Sequence, residues 1–163
     1  MGLQKELGLT KPFRHSGHET LLNIVITSQM LIKEAQSLLN TCDLTVSQFN
    51  VLLMLKVQGV GGRLNQTQLG HLVVSKRSGV SGLIDRMEQA GLVKRVPDPE
   101  DRRVNLVEMT ADGREKLERA EMPYIDRINT LTSVITAGEH NQLRAALEKI
   151  RLKTVQSDIC QKS

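Results

Sequence analysis

Two helix-start signatures of the same design, twenty residues apart, constrain this chain more than any other feature. Leu44-Thr45-Val46-Ser47-Gln48-Phe49 offers a hydroxyl at the N-cap, a glutamine three positions on that can reach back to the cap N–H, and a flanking Leu44/Phe49 staple. Leu64-Asn65-Gln66-Thr67-Gln68-Leu69 repeats the arrangement with Asn65 as cap and Leu64/Leu69 as staple. The first helix is predicted to run to about Val57 and to stop at Gly59, Gly61 and Gly62; the second ends near Val74, where Ser75 can cap a third. That third helix, about Lys76 to Ala90, is closed by Gly91 and followed by Leu92-Val93-Lys94-Arg95-Val96, a strand by residue type. Pro97 to Arg102 is a polar turn, and Arg103 to Met109 resumes an extended pattern. Three helices and then a hairpin is the winged helix-turn-helix order, here spanning roughly Leu44 to Thr110.

The flanks are helical. Residues 1–17, with Gly2, Gly8, Pro12 and Gly17, read as an arm rather than a core element. From Glu19 a long helix places Leu21, Ile24, Val25, Ser28, Leu31, Ile32, Ala35, Leu38 and Leu39 on a stripe too wide and apolar for a lone exposed helix, so a second subunit is expected to cover it. Thr110 caps another long helix carrying Leu117, Ala120, Tyr124, Ile128 and Leu131, which Pro123 should bend. Thr136 to Glu139 is a capping box opening a last helix with Leu143, Leu147, Ile150 and Thr154 on one stripe. The expected fold is mainly α with a small β-hairpin wing. It divides into an N-terminal arm and dimerisation helix over 1–43, a DNA-binding domain over 44–110, and C-terminal dimerisation helices over 111–163.

Composition narrows the partners. Lys and Arg number 22 against 18 acids, a formal charge of +4 that favours anionic partners. The aromatic residues are Phe13, Phe49 and Tyr124, with no Trp, so there is no platform for stacking unpaired bases, and duplex DNA is preferred to single strands or RNA. Cys42 and Cys160 form no CxxC pair, which suits a reducing compartment, and no apolar run approaches membrane-spanning length. A cytoplasmic protein without a membrane partner is expected.

In the third helix Val80, Leu83, Ile84 and Met87 share one inward face. The opposite face is led by Ser78, Ser81, Gly82 and Asp85, with Arg77 and Arg86 on its flanks. Small polar residues let a helix approach base edges in a major groove while flanking arginines reach phosphates. Close packing against another helix would account equally well for Gly79 and Gly82. Lys76, in the first turn, can join the helix dipole in holding a phosphate, or simply be solvated. Asp101, Arg102 and Arg103 sit on the turn beside this helix, where arginine can enter the negative potential of a minor groove.

Asp101-x-Arg103-x-x-x-Val107-x-Met109-Thr110-x-x-Gly113 resembles the D-x-R-x-x-x-V-x-L-T-x-x-G signature of the MarR family of bacterial regulators. Gly91-Leu92-Val93 and the helical order extend the resemblance over about Glu19 to Ser157. It implies a homodimer whose first and last helices intertwine, a reading helix in the major groove and a wing arginine in the minor groove. Arg103 occupies the position of that arginine, and Asp101 that of the acid expected to orient it by a charge-assisted hydrogen bond. Met109 stands where the family has leucine, a volume-conserving change. Gly82 lies where relatives often carry a basic residue, so no base contact is carried over to it.

His15, His18 and Glu19 lack companion ligands with metal-site spacing, so no metal and no cofactor are expected. Cys42 does not match the position of oxidant-sensing thiols in relatives and reads as a partly buried cysteine. No nucleophile with its base, phosphate loop or metal cluster suggests an enzyme. The expectation is a DNA-binding regulator, more often a repressor, acting on an inverted-repeat operator under small-molecule or other control. The competing reading is a helical protein-interaction adaptor that has lost DNA binding.

Overall fold

A computed structural model describes residues 2–59, 61–72, 77–101 and 103–160. Its elements run α1 (Leu3–Glu6), α2 (Ser16–Asn40), α3 (Val46–Gln58), β1 (Arg63–Asn65), α4 (Gln66–Leu72), α5 (Arg77–Gln89), β2 (Val93–Pro97), β3 (Asn105–Met109), α6 (Ala111–Thr132) and α7 (Ala137–Cys160). The chain divides into two compact units, Met1–Tyr124 and Ile125–Ser163.

The first unit is organised by the caps. The Thr45 hydroxyl accepts the Gln48 backbone N–H at 3.2 Å while Gln48 Oε1 accepts the Thr45 N–H at 2.8 Å, closing the box at the start of α3. Asn65 and Gln68 exchange the equivalent pair, both at 2.8 Å, and so open α4. The residues of both staples, Leu44 with Phe49 and Leu64 with Leu69, are buried. Gly91, at φ 70°, ends α5 in the left-handed conformation that glycine adopts without steric cost. The expected cap at Ser75 lies outside the described residues.

Two features depart from the sequence reading. The expected hairpin forms from β2 and β3, but β1 adds a third strand in the order β1-β3-β2, because Arg63, Leu64 and Asn65 pair with Glu108, Val107 and Leu106. A strand of three residues carries too little periodicity to be seen locally, and its pairing partner is distant in sequence. The N-terminal segment is more than an arm, since it folds into α1 and buries Leu3 to 5% exposure.

The core of this unit joins Leu39, Leu44, Phe49, Leu52, Leu55, Leu69, Val80, Ile84, Met87, Leu92, Val107 and Leu117. The start of α6 is locked against the end of α5. The Thr110 N–H donates to the Leu92 carbonyl at 3.1 Å, its hydroxyl donates to the Gly91 carbonyl at 2.5 Å, and the same oxygen accepts the Gly113 N–H at 3.0 Å. A Cβ on Gly113 would sit 2.1 Å from the Leu92 oxygen, which explains why glycine stands there. α6 continues through Pro123, and Tyr124 meets Phe49 with ring centroids 4.5 Å apart.

In the second unit the Thr136 N–H donates to Glu139 Oε2 at 2.7 Å and the Glu139 N–H returns to the Thr136 hydroxyl at 3.3 Å, the box foreseen at the start of α7. Along α2 Leu39 is buried in the core while Leu21, Val25, Leu31 and Ile32 are exposed, as are Leu143 and Leu152 on α7. Among the described residues no helix is long and apolar enough to cross a membrane.

Candidate nucleic-acid interface

Helix α5 divides its faces as its spacing requires. Val80, Leu83, Ile84 and Met87 are all buried, while Ser81, Asp85 and Arg86 are exposed and Gly82 is half-buried. Lys76 and Arg102 lie outside the described residues, and Arg77 and Ser78 are described by their helical backbone alone. A cleft of about 210 Å³ runs between α4 and α5, lined by Gln66, Thr67, Gly70, Val80 and Ser81.

The glycines of α5 can be assessed directly. A Cβ at Gly79 would meet nothing within 4 Å, and one at Gly82 would meet only Arg86 Nη1, at 3.5 Å. Among the described residues, packing therefore requires glycine at neither position, although interior helix glycine costs about 1 kcal/mol relative to alanine.

The wing turn between β2 and β3 is held by its aspartates. The Glu100 N–H donates to Asp98 Oδ1 at 2.9 Å and the Arg103 N–H donates to Asp101 Oδ1 at 3.0 Å, two local turns of the kind aspartate favours. The Asp98 N–H donates to the Val104 carbonyl and the Val104 N–H to the Asp101 carbonyl, both at 2.9 Å. Asp101 thus grips the backbone of Arg103, whereas the sequence suggested a bond to its guanidinium. The Arg103 side chain is exposed, and among the described residues no acid pairs with it or with Arg86.

The sequence reading missed two charged assemblies that join these parts. Arg95 on β2 reaches across to α5: its guanidinium donates to Asp85 and Glu88, and its backbone N–H donates to Glu88 Oε1 at 3.1 Å. The bond to Asp85 chiefly raises the Arg95 pKa further, against the opposing effect of burial and with help from Glu88, so the cation is permanent. The i, i+3 spacing of Asp85 and Glu88 was a usable signal for a shared flank. Nothing local indicated which strand would face it. On the sheet, Glu108 of the central β3 lies between its cross-strand partners, accepting from Arg63 Nε at 2.7 Å and pairing with Lys94 Nζ at 3.2 Å. Burial alone would raise the Glu108 pKa, but hydrogen bonds and attraction from Lys94 and Arg63 outweigh it and hold the carboxyl below its usual value.

Among the described residues no group of His, Cys, Asp or Glu could hold a metal ion. Cys42 is buried in the core, its sulfur 3.7 Å from the Thr41 hydroxyl.

Helices α4 and α5, with a small antiparallel sheet whose strands β2 and β3 bracket an arginine-bearing tip, define a winged helix-turn-helix protein. Comparison with known proteins agrees. Residues 44–104 match the model of the MarR family. The transcriptional repressor NicR of Pseudomonas putida is 32% identical over 120 residues, covering 72% of this chain and 71% of NicR. The transcriptional regulator PecS of Dickeya dadantii is 25% identical over 66% of this chain, and the match takes in 64% of PecS. A solved structure of Bordetella bronchiseptica BpsR, described with the regulation of its DNA binding by 6-hydroxynicotinic acid, superposes with a TM-score of 0.69 at 27% identity, covering 86% of this chain and 98% of that one. The chain belongs to the MarR family.

Proposed function

We propose that this protein is a transcription regulator that binds duplex DNA sequence-specifically as a homodimer, most simply as a repressor, under control of a small molecule or another signal. Ser78, Ser81 and Gly82 face the major groove, with Arg77, Arg86 and Lys76 on the bordering phosphates and Arg102 and Arg103 at the minor groove. Asp101 shapes the wing tip that presents Arg103. Residues 44–110 make up the DNA-binding domain, and 1–43 with 111–163 the dimerisation region. The protein acts in the cytoplasm, and no catalysis is part of its role.

One observation carries this reading. The outward face of α5 presents Ser81 and Gly82, and among the described residues nothing needs Gly82 to be glycine. A surface that a helix keeps shallow at a cost to its own stability suits close approach to a partner, and flanking cations make that partner a polyanion. Exposed Leu21, Val25, Leu31 and Ile32 on α2 and Leu143 on α7 support a dimer, since these apolar side chains lie open to solvent. Control by a ligand is supported by BpsR, whose DNA binding is regulated by 6-hydroxynicotinic acid.

Selection of bound fragments from random duplex DNA tests the proposal. Enrichment of an inverted repeat is expected, with half-sites about one helical turn apart. Absence of any enrichment at low salt would favour a protein-interaction adaptor.

A further inference from the structure

The reading face of α5 carries an acid in the wrong place for a DNA-binding surface. Asp85 is exposed, its side chain half open to solvent, and it lies one helical turn beyond Ser81 on the face led by Ser81 and Gly82. A free carboxylate there would repel phosphate. Glu88 lies one turn further along the same flank, its side chain also partly open.

The two acids share a single cation. Arg95 directs one guanidinium nitrogen to Asp85 and another to Glu88, and its own N–H fixes the second Glu88 oxygen. Its side chain is less exposed than either carboxylate, so the acids hold it while remaining near solvent themselves. Arg95 stands opposite Val107 in the wing register, in the middle of β2, so its guanidinium spans from wing to reading helix.

We propose that Arg95 is a positioning residue for DNA binding, acting as an electrostatic guard: it screens Asp85 and Glu88 from the phosphates and fixes the angle between the reading helix and the wing. The inference rests on the DNA-binding reading above. It also explains why Arg95 on β2 is fully committed to two acids of α5. A plain surface ion pair would contribute little to folding, so the value of this arrangement lies in the field presented to the duplex.

The test compares wild type, Arg95→Gln, Arg95→Lys, Asp85→Asn and the double variant Arg95→Gln/Asp85→Asn on a duplex selected by the wild type, at several salt concentrations. Arg95→Gln should weaken binding about tenfold, the loss being largest at low salt, where the uncovered carboxylates repel phosphate with least screening. Arg95→Lys should recover part of the affinity. Asp85→Asn alone should bind at least as well as wild type, and in the double variant it should restore most of what Arg95→Gln loses. Arg95 acting only as a fold-stabilising clasp would give the opposite pattern, with Asp85→Asn also weakening binding and no rescue in the double variant; that pattern overturns the proposal. Equal affinity for wild type and Arg95→Gln overturns it too. A wild-type protein that binds no duplex removes the DNA-binding reading and this inference with it. Should Arg95→Gln fail to fold, Asp85→Asn still decides, since weaker binding by that exposed-site variant contradicts the guard.

Discussion

Replacing Gly113 by alanine adds one methyl group where the chain has no room for it. The new Cβ would lie 2.1 Å from the Leu92 oxygen, 3.0 Å from the Leu92 carbonyl carbon and 3.2 Å from Leu52 Cδ2. Carbon and carbonyl oxygen approach to roughly 3.3 Å, so α6 must retreat from the α5–β2 junction by about 1 Å. The obstacle is backbone, which cannot rotate aside as a side chain would. Overpacking of this kind costs about 1–3 kcal/mol or more. A retreat of that size also breaks the bond from the Thr110 N–H to Leu92, worth about 1 kcal/mol. Alanine's better helix propensity returns at most about 1 kcal/mol. The net loss is about 1–4 kcal/mol, or about 2–16 °C in melting temperature for a chain of this size. Thermal unfolding followed by circular dichroism at fixed protein concentration measures it, with Gly82→Ala as control. That control adds the same methyl group to a helix against nothing but the Arg86 side chain and should raise the melting temperature slightly. A Gly113→Ala protein melting at or above the wild-type temperature would refute the reasoning.

Gly82→Leu should fold as well as wild type, because its Cβ has space, yet lose specific DNA binding; loss of stability and affinity in proportion would return Gly82 to a packing role. Arg103→Ala should leave dimerisation intact and reduce the salt slope of DNA binding by about 1, with a larger loss on duplexes with A·T-rich flanks; unchanged slopes and affinities would take the wing tip out of the interface. Glu108 has a depressed pKa, so its contribution to stability is present above the ordinary 4.5 and disappears as pH falls through the lowered folded value. Wild type should therefore be more stable than Glu108→Gln at neutral pH by about 0–1 kcal/mol and converge with it once pH falls below the lowered folded value; a difference that persists undiminished in acid would rule out the ion-pair origin. Deleting residues 138–163 should cause aggregation or unfolding, which sedimentation and circular dichroism would detect. A soluble, cooperatively folding monomer would contradict the dimer.

The helices were legible wherever their instructions are local. Thr45 with Gln48, Asn65 with Gln68 and Thr136 with Glu139 each lie within four residues, and all three boxes are formed. The buried face of α5 followed from helical spacing, which needs no knowledge of what packs against it. What escaped depends on chain segments meeting from afar. β1 exists because Leu64 pairs with Val107, and Arg95 matters because a strand after α5 folds back along it. Gly113 was visible as a motif letter, but its reason is a carbonyl on a different element. At the wing tip the motif identified the right two residues while the bond between them runs to a backbone N–H, a distinction residue letters do not carry.

The Gly91–Leu92 junction has a mechanical consequence. Three elements converge on these two residues: α5 ends there, β2 begins there, and α6 is bolted to both carbonyls through Thr110 and pressed against one of them at Gly113. Only the short turn Ala90–Leu92 separates α5 from β2. A torque applied to the first turn of α6 is delivered to the end of the reading helix without backlash, as through a keyed shaft, because closely packed backbone does not compress. Compliance is left to the wing turn over 98–104, whose restraints are its own short-range hydrogen bonds. α5 and the first turn of α6 are thus geared to move together.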